Sequence, residues 1–178
     1  LIYGEGFIPL HRPVFEGAER NYLIECVDSN FVSSVGQKVT EFERLVADYT
    51  GAKYAVAVVN GTTALEVSLK MVGVSAETDV LTQDLTFVAT ANAIVYNNAV
   101  PVFLDVDLDT MGLSPLAVEN FLDEYGELRE EGCYNKVTGR RISACMPMHT
   151  FGFPTHLDEL ILICKKWSIK KSERKLIL

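Results

Sequence analysis

The sequence predicts an α/β fold built on a mostly parallel sheet, and three observations carry that expectation. Apolar runs at Tyr54–Val59, Asp79–Thr82, Val100–Asp105 and Ile142–Met148 alternate with segments whose apolar residues recur at helical spacing. Tyr54–Val59 is small and apolar along its whole length, as a strand covered on both faces would be. The segments that follow the runs carry the chemically interesting residues, Gly61–Thr63, Thr86–Phe87 and His149. That is where ligands bind in open α/β sheets, beyond the carboxyl ends of the strands.

Taken in order, Leu1–Pro13 reads as extended, broken by Pro9 and Pro13. Glu16–Ser29 reads as a helix with a partly apolar face of Ala18, Tyr22, Ile24, Cys26 and Val27. Asn30–Gly36 is a loop bearing Ser33 and Ser34. Gln37–Tyr49 repeats Val39, Phe42, Leu45, Val46 and Tyr49 at helical spacing, and Gly51 closes it. After the Tyr54–Val59 strand, Asn60-Gly61-Thr62-Thr63 turns the chain into a helix carrying Ala64, Leu65, Val67, Ser68, Leu69, Met71 and Val72. Thr62 or Thr63 is the expected N-cap, and Gly61 lets a ligand approach the backbone. Asp79–Thr82 is a short strand, Gln83–Phe87 a loop, and Phe87–Tyr96 an alanine-rich helix. Val100–Asp105 is a strand ending in acids, with Asp107 and Asp109 close behind. Ser114 and Pro115 form an N-cap and first helical position, opening a helix to Tyr125. Gly126–Arg141 is polar and reads as loop, Ile142–Met148 as a buried strand, and Leu157–Trp167 as a helix. No internal repeat or low-complexity linker interrupts this order.

Composition bounds the function. At 178 residues and 48% hydrophobic content, the chain suits one domain or a piece of a larger one. A net charge of −8 argues against a nucleic-acid partner. Lys165–Leu178 runs the other way, with six basic residues and one acid, and reads as a solvated tail. Four widely spaced cysteines without C-x-x-C, no signal peptide, and no apolar run near the ~20 residues of a membrane helix point to the cytoplasm and away from membranes. The histidines His11, His149 and His156 show no metal-ligand spacing, so no metal site is expected.

The chemistry centres on the Gly61–Thr63 turn. A helix N-terminus with free N–H groups and two hydroxyls suits a phosphate, although a Thr-capped turn with nothing bound has the same sequence. Phe87 could stack on a heteroaromatic ring held there, or serve as a core aromatic opening its helix. His149 could contact cofactor or substrate, but the residues alone favour a hydrogen-bonding role at a strand end. For Ser33 and Ser34 they favour solvated loop positions over a pocket.

Several segments in order carry a family resemblance: Phe7–Leu10, Phe31–Gly36, Phe42-Glu43, Asn60–Leu65, Leu85–Asn92, Pro101–Asp107, and Met148–Pro154 with Leu157-Asp158. In these the chain resembles the DegT-type, pyridoxal-phosphate-dependent nucleotide-sugar aminotransferases of the aspartate aminotransferase superfamily, with wording most similar to members making 4-amino sugars of the legionaminic-acid or perosamine type. The resemblance implies the three-layer, mostly parallel large domain of fold type I, and a homodimer in the full-length family. It implies pyridoxal 5'-phosphate as cofactor, its phosphate held by Gly61, Thr62 and Thr63 and its ring covered by Phe87. It implies that the Phe31–Gly36 loop lies near the sugar substrate, which adds weight to Ser33 and Ser34; His149 stands beside them as a candidate substrate residue. The implied reaction moves an amino group, usually from glutamate, onto a keto-sugar linked to a nucleotide.

The sequence departs from that family at its end. Relatives continue past the Lys166-Trp167 helix with a strand delivering an aspartate to the cofactor's ring nitrogen, then a segment bearing the Schiff-base lysine. Here Ser168-Ile169 leads into a basic tail, and neither group is assigned to a residue. The expected organisation is therefore an arm and helix over 1–30, a truncated large domain over 31–169 and a non-family tail over 170–178. The chain alone is expected to be inactive, with an exposed sheet edge that favours aggregation. The alternative is a non-catalytic paralogue that binds nucleotide-sugar or a full-length aminotransferase subunit. A dinucleotide-binding dehydrogenase or epimerase is disfavoured, because no G-x-G-x-x-G follows a strand.

Overall fold

The computed structural model describes Gly6, Phe7 and residues 12–169. Most of the N-terminal arm, His11 and the basic tail lie outside the described residues. The chain divides into two compact units between Ala57 and Val58.

The first unit holds α1 (Glu19–Asp28) and α2 (Gln37–Thr50). Lys38 Nζ sits 2.9 Å from Glu25 Oε2 and 4.0 Å from the centre of the Tyr22 ring, joining the two helices. Gly51 ends α2 in the left-handed conformation (φ +68°) that its C-terminal position requires. Neither helix has a buried residue, and Phe42, Leu45 and Tyr49 of the apolar stripe are exposed.

The second unit contains α3 (Gly61–Met71), β1 (Thr78–Gln83), α4 (Val88–Tyr96), β2 (Val100–Leu104), α5 (Pro115–Tyr125), β3 (Gly126–Arg129), β4 (Gly132–Asn135), β5 (Arg141–Met146) and α6 (Leu157–Lys166). The sheet runs β2-β1-β5-β4-β3. β2, β1 and β5 are parallel, while β3 and β4 are an antiparallel hairpin. Strand geometry sends Val80 and Leu81 to opposite faces. Val80 packs with Leu69, Ala93, Ile94 and Ala144 beneath α3 and α4. Leu81 packs with Leu113, Val118, Leu122, Leu160 and Ile163 beneath α5 and α6. The result is the expected three-layer arrangement. A register shift pairs Asp79 with Ile142 but Val80 with Ala144, so Ser143 is the extra residue. The shift lets Ile142 join the α5/α6 core while Ala144 and Met146 join the other.

Ser114 caps α5 through the Ala117 amide with Pro115 in the first turn, as the sequence indicated. Three expectations are corrected. Tyr54–Val59 is not a buried strand: it pairs with no described strand, and Tyr54, Val56 and Val59 are 75%, 80% and 85% exposed. An apolar run becomes a strand when a neighbour completes its ladder, and none of the five described strands does so. Gly126–Arg141 is not all loop. Residues 126–135 form the β3–β4 hairpin, turned at Gly132 (φ +131°) and steadied by Arg129, which lies over the Tyr134 ring at 4.4 Å. Its polar composition hides a pairing that depends on backbone hydrogen bonds. The cap of α3 is the third correction and belongs to the site.

Candidate cofactor-binding site

Asn60, not Thr62 or Thr63, caps α3. Its extended backbone brings Oδ1 to 2.9 Å from the Thr63 N–H. Asparagine reaches the third amide of the helix as readily as threonine, and it stands one residue ahead of the glycine. The cap occupies the Thr63 amide. Among the described residues, the Gly61 and Thr62 amides and the Thr62 and Thr63 hydroxyls have no partner. Nothing lies within 4 Å of the point where a Gly61 side chain would begin. Two unpaired amides at the positive end of a helix, two hydroxyls and open space above them fit a phosphate.

Phe87 is the N-cap residue of α4 and is 72% exposed, so its ring is available to cover a ligand and is not a core aromatic. The loop before it is tightened by Asp84, whose Oδ1 accepts from the Leu85 N–H at 2.7 Å. His149 is exposed just beyond β5. Its Nδ1 accepts the Thr155 N–H at 3.1 Å, so the neutral ring carries its proton on Nε2. His149 thus has the structural bond that the residues alone favoured, with its other nitrogen free to donate. Ser33 and Ser34 are exposed in the first unit, and Ser33 Oγ accepts from the Val35 N–H at 3.4 Å.

β1, β2 and β5 are parallel, so the loops that follow them leave one end of the sheet. Sequence reasoning missed the residue beneath them, Gln83, placing it in a loop. It is the last residue of β1 and fully buried. Its side chain bonds to Leu85, Met111, Leu113, Met148 and Thr150. A polar residue ending an apolar strand was the available signal.

His156, further along, meets two acids that sequence spacing did not reveal. Its Nε2 lies 2.9 Å from Asp109 Oδ2 and 4.0 Å from Asp107 Oδ2. The hydrogen bond to Asp109 raises the His156 pKa above 6.5 and lowers that of Asp109 below 3.8. The histidine contribution is complete below pH 6.5 and fades as pH rises through the raised value. The aspartate contribution is complete above pH 3.8 and fades as pH falls through the lowered one. An NMR titration should place the His156 midpoint above 6.5, and Asp109→Asn should return it toward 6.5. A midpoint that Asp109→Asn leaves in place contradicts the ion pair.

An α/β domain with an open helix N-terminus and an exposed aromatic at the head of the next helix offers the groups that a flat, phosphorylated ligand needs. The chain belongs to the DegT/DnrJ/EryC1/StrS aminotransferase family, whose pattern it matches over residues 14–173. It is 33% identical over 162 residues to GDP-perosamine synthase of Caulobacter vibrioides, covering 91% of this chain and 39% of that protein. It is 35% identical over 162 residues to EpsN of Bacillus subtilis, assigned by name to the pyridoxal phosphate-dependent aminotransferases, again covering 91% and 39%. Among solved structures, 3-amino-5-hydroxybenzoic acid synthase superposes with a TM-score of 0.72 at 31% identity, over 88% of this chain and 37% of that one. The chain thus spans about two-fifths of the length of these relatives. Among the described residues, no helix is long and apolar enough to cross a membrane.

Proposed function

We propose that this chain supplies the phosphate- and ring-holding part of a pyridoxal-phosphate-dependent aminotransferase that moves an amino group from glutamate onto a nucleotide-linked keto-sugar. The observation that carries the reading is the first turn of α3, where the Gly61 and Thr62 amides and the Thr62 and Thr63 hydroxyls have no partner among the described residues. These groups would bind the cofactor's phosphate, and Phe87 would cover its ring and exclude water. When bound, the cofactor supplies an electron-withdrawing ring that makes a neighbouring C–H acidic. His149, held by Thr155, would present Nε2–H to a substrate oxygen. The name of the Caulobacter relative, a GDP-sugar synthase, supports the sugar class. Ser33 and Ser34 would line the sugar side, and the complete enzyme would work as a homodimer in the cytoplasm.

The chemistry also needs a lysine to carry the cofactor and an acid at its ring nitrogen. We assign neither to this chain, which therefore binds without turnover. Among the described residues β5 pairs with β4 at Tyr134↔Arg141 alone, so its edge from Ile142 to Met146 would accept a further strand in a longer enzyme.

The test is a ³¹P NMR titration of pyridoxal phosphate with the chain. The phosphate resonance should shift, the double variant Thr62→Val/Thr63→Val should weaken binding by about tenfold, and glutamate with the cofactor should yield no product. An unmoved resonance, binding indifferent to the double variant, or turnover by the chain would refute the reading.

A further inference from the structure

We propose that Gln83 is a positioning residue: one buried amide that locks the loops carrying Phe87, Met111 and His149 into a single unit, so that a ligand touching Phe87 is felt at His149. The role in ligand response rests on the aminotransferase reading; the coupling itself rests on the structure.

Gln83 stands at the end of β1 with no exposed surface. Its Oε1 accepts from the Leu113 N–H and the Met148 N–H, both at 2.9 Å. Its Nε2 shares two protons among Leu85 O at 2.9 Å, Thr150 Oγ1 at 3.0 Å and Met111 O at 3.2 Å. The partners belong to three loops, following β1, β2 and β5, and they lie 2 to 67 residues away in sequence. A side chain that bonded to its own loop would be a turn device. This one joins both neighbouring loops to its own.

The partners are themselves constrained. Met111 adopts a left-handed backbone (φ +52°), unfavourable for a methionine, and its carbonyl accepts from both Gln83 and Thr150 Oγ1, the latter at 2.7 Å. Phe151, just after Thr150, is left-handed as well (φ +52°). Such conformations persist where surrounding bonds over-determine them. A second, weaker strut runs alongside, with Thr86 Oγ1 lying 3.2 Å from Met148 Sδ. No water can replace a lost bond at a fully buried amide, so the network holds or fails together. An apolar side chain of similar volume would fill the same space but leave the Leu113 and Met148 amides without an acceptor. What the glutamine adds is a fixed relation among the loops.

The experiment is NMR on the 178-residue chain without cofactor, comparing wild type with Gln83→Leu. The Phe87 ring and His149 Hε1 resonances should shift together, and the Leu113 and Met148 amides should exchange with solvent about tenfold faster or more. The Trp167 indole resonance, beside Gly126 at the C-terminal end of α5, should hold its position. Phe87 and His149 resonances that stay in place, or a change confined to Phe87, would overturn the proposal. Should Gln83→Leu fail to fold, Thr150→Val removes one leg of the network from another loop. Movement of the Phe87 resonance in that variant supports the coupling, and a stationary one overturns it. The measurement uses no pyridoxal phosphate. Its failure would leave the cofactor reading standing, and failed cofactor binding would leave the coupling intact.

Discussion

Leu81→Ala is expected to lower the unfolding free energy by about 3–5 kcal/mol, toward the upper end of the range for leucine truncation in a core. Leu81 has no exposed surface and packs against Leu113, Val118, Leu122, Ile142, Leu160 and Ile163. Its backbone is hydrogen-bonded to strands on both sides, to β2 opposite Val102 and to β5 opposite Cys145. The walls around it therefore cannot collapse far into the space a truncation leaves, so the cavity cost adds to the lost transfer energy. Urea unfolding followed by circular dichroism reads the change as a lower midpoint at constant slope. Leu162→Ala, on the exposed side of α6 at 63% exposure, is the matched control and should move stability by no more than about 0.5 kcal/mol. A Leu81→Ala chain within about 1 kcal/mol of wild type would show that this face of the sheet is loosely packed.

Asp79→Ala should cost about 2–3 kcal/mol, by a polar and not a cavity mechanism. Asp79 is 1% exposed, and its Oδ2 accepts from Asn135 Nδ2 at 3.0 Å and Thr138 Oγ1 at 3.2 Å. Arg140 stands 4.0 Å from the other oxygen. These bonds tie the first residues of β1 to the turn between β4 and β5. Alanine leaves the buried Asn135 amide without an acceptor, and an unsatisfied buried donor costs more than the bond was worth. Asp79→Asn keeps an acceptor oxygen in place and should cost about 1 kcal/mol or less. Equal losses for alanine and asparagine would show that charge, through Arg140, matters more than the Asn135 bond. Hydrogen exchange in β4 offers a second reading, since hairpin amides should lose protection before those of β1 and β2.

The parts of the fold that could be read from the sequence were those fixed by local chemistry. Ser114 and Pro115 announce a helix start because a hydroxyl and a preset φ act within one turn, and the structure places α5 there. Gly51 announces a helix end for an equally local reason. The Asn60–Thr63 turn was legible as a helix start, but the choice of cap was not. Asparagine and threonine both serve, and geometry gave the position to Asn60. Strand pairing could not be read from composition, whether the partner is near or distant. Tyr54–Val59 has strand composition and no described neighbour, whereas Gly126–Asn135 has loop composition and a partner three residues on.

The sequence by itself determined the layered α/β class and the family, and it marked Gly61, Thr62, Thr63, Phe87 and His149 as candidate site residues. Tertiary structure alone decided that Ser143 would shift the register, that His156 would meet Asp109, and that Gln83 would hold three loops at once. The division has one physical reason. Caps, turns and periodicity act over a few residues and leave their mark in the local order of the chain. A buried amide joined to carbonyls up to 67 residues away is specified only when the sheet brings those residues together.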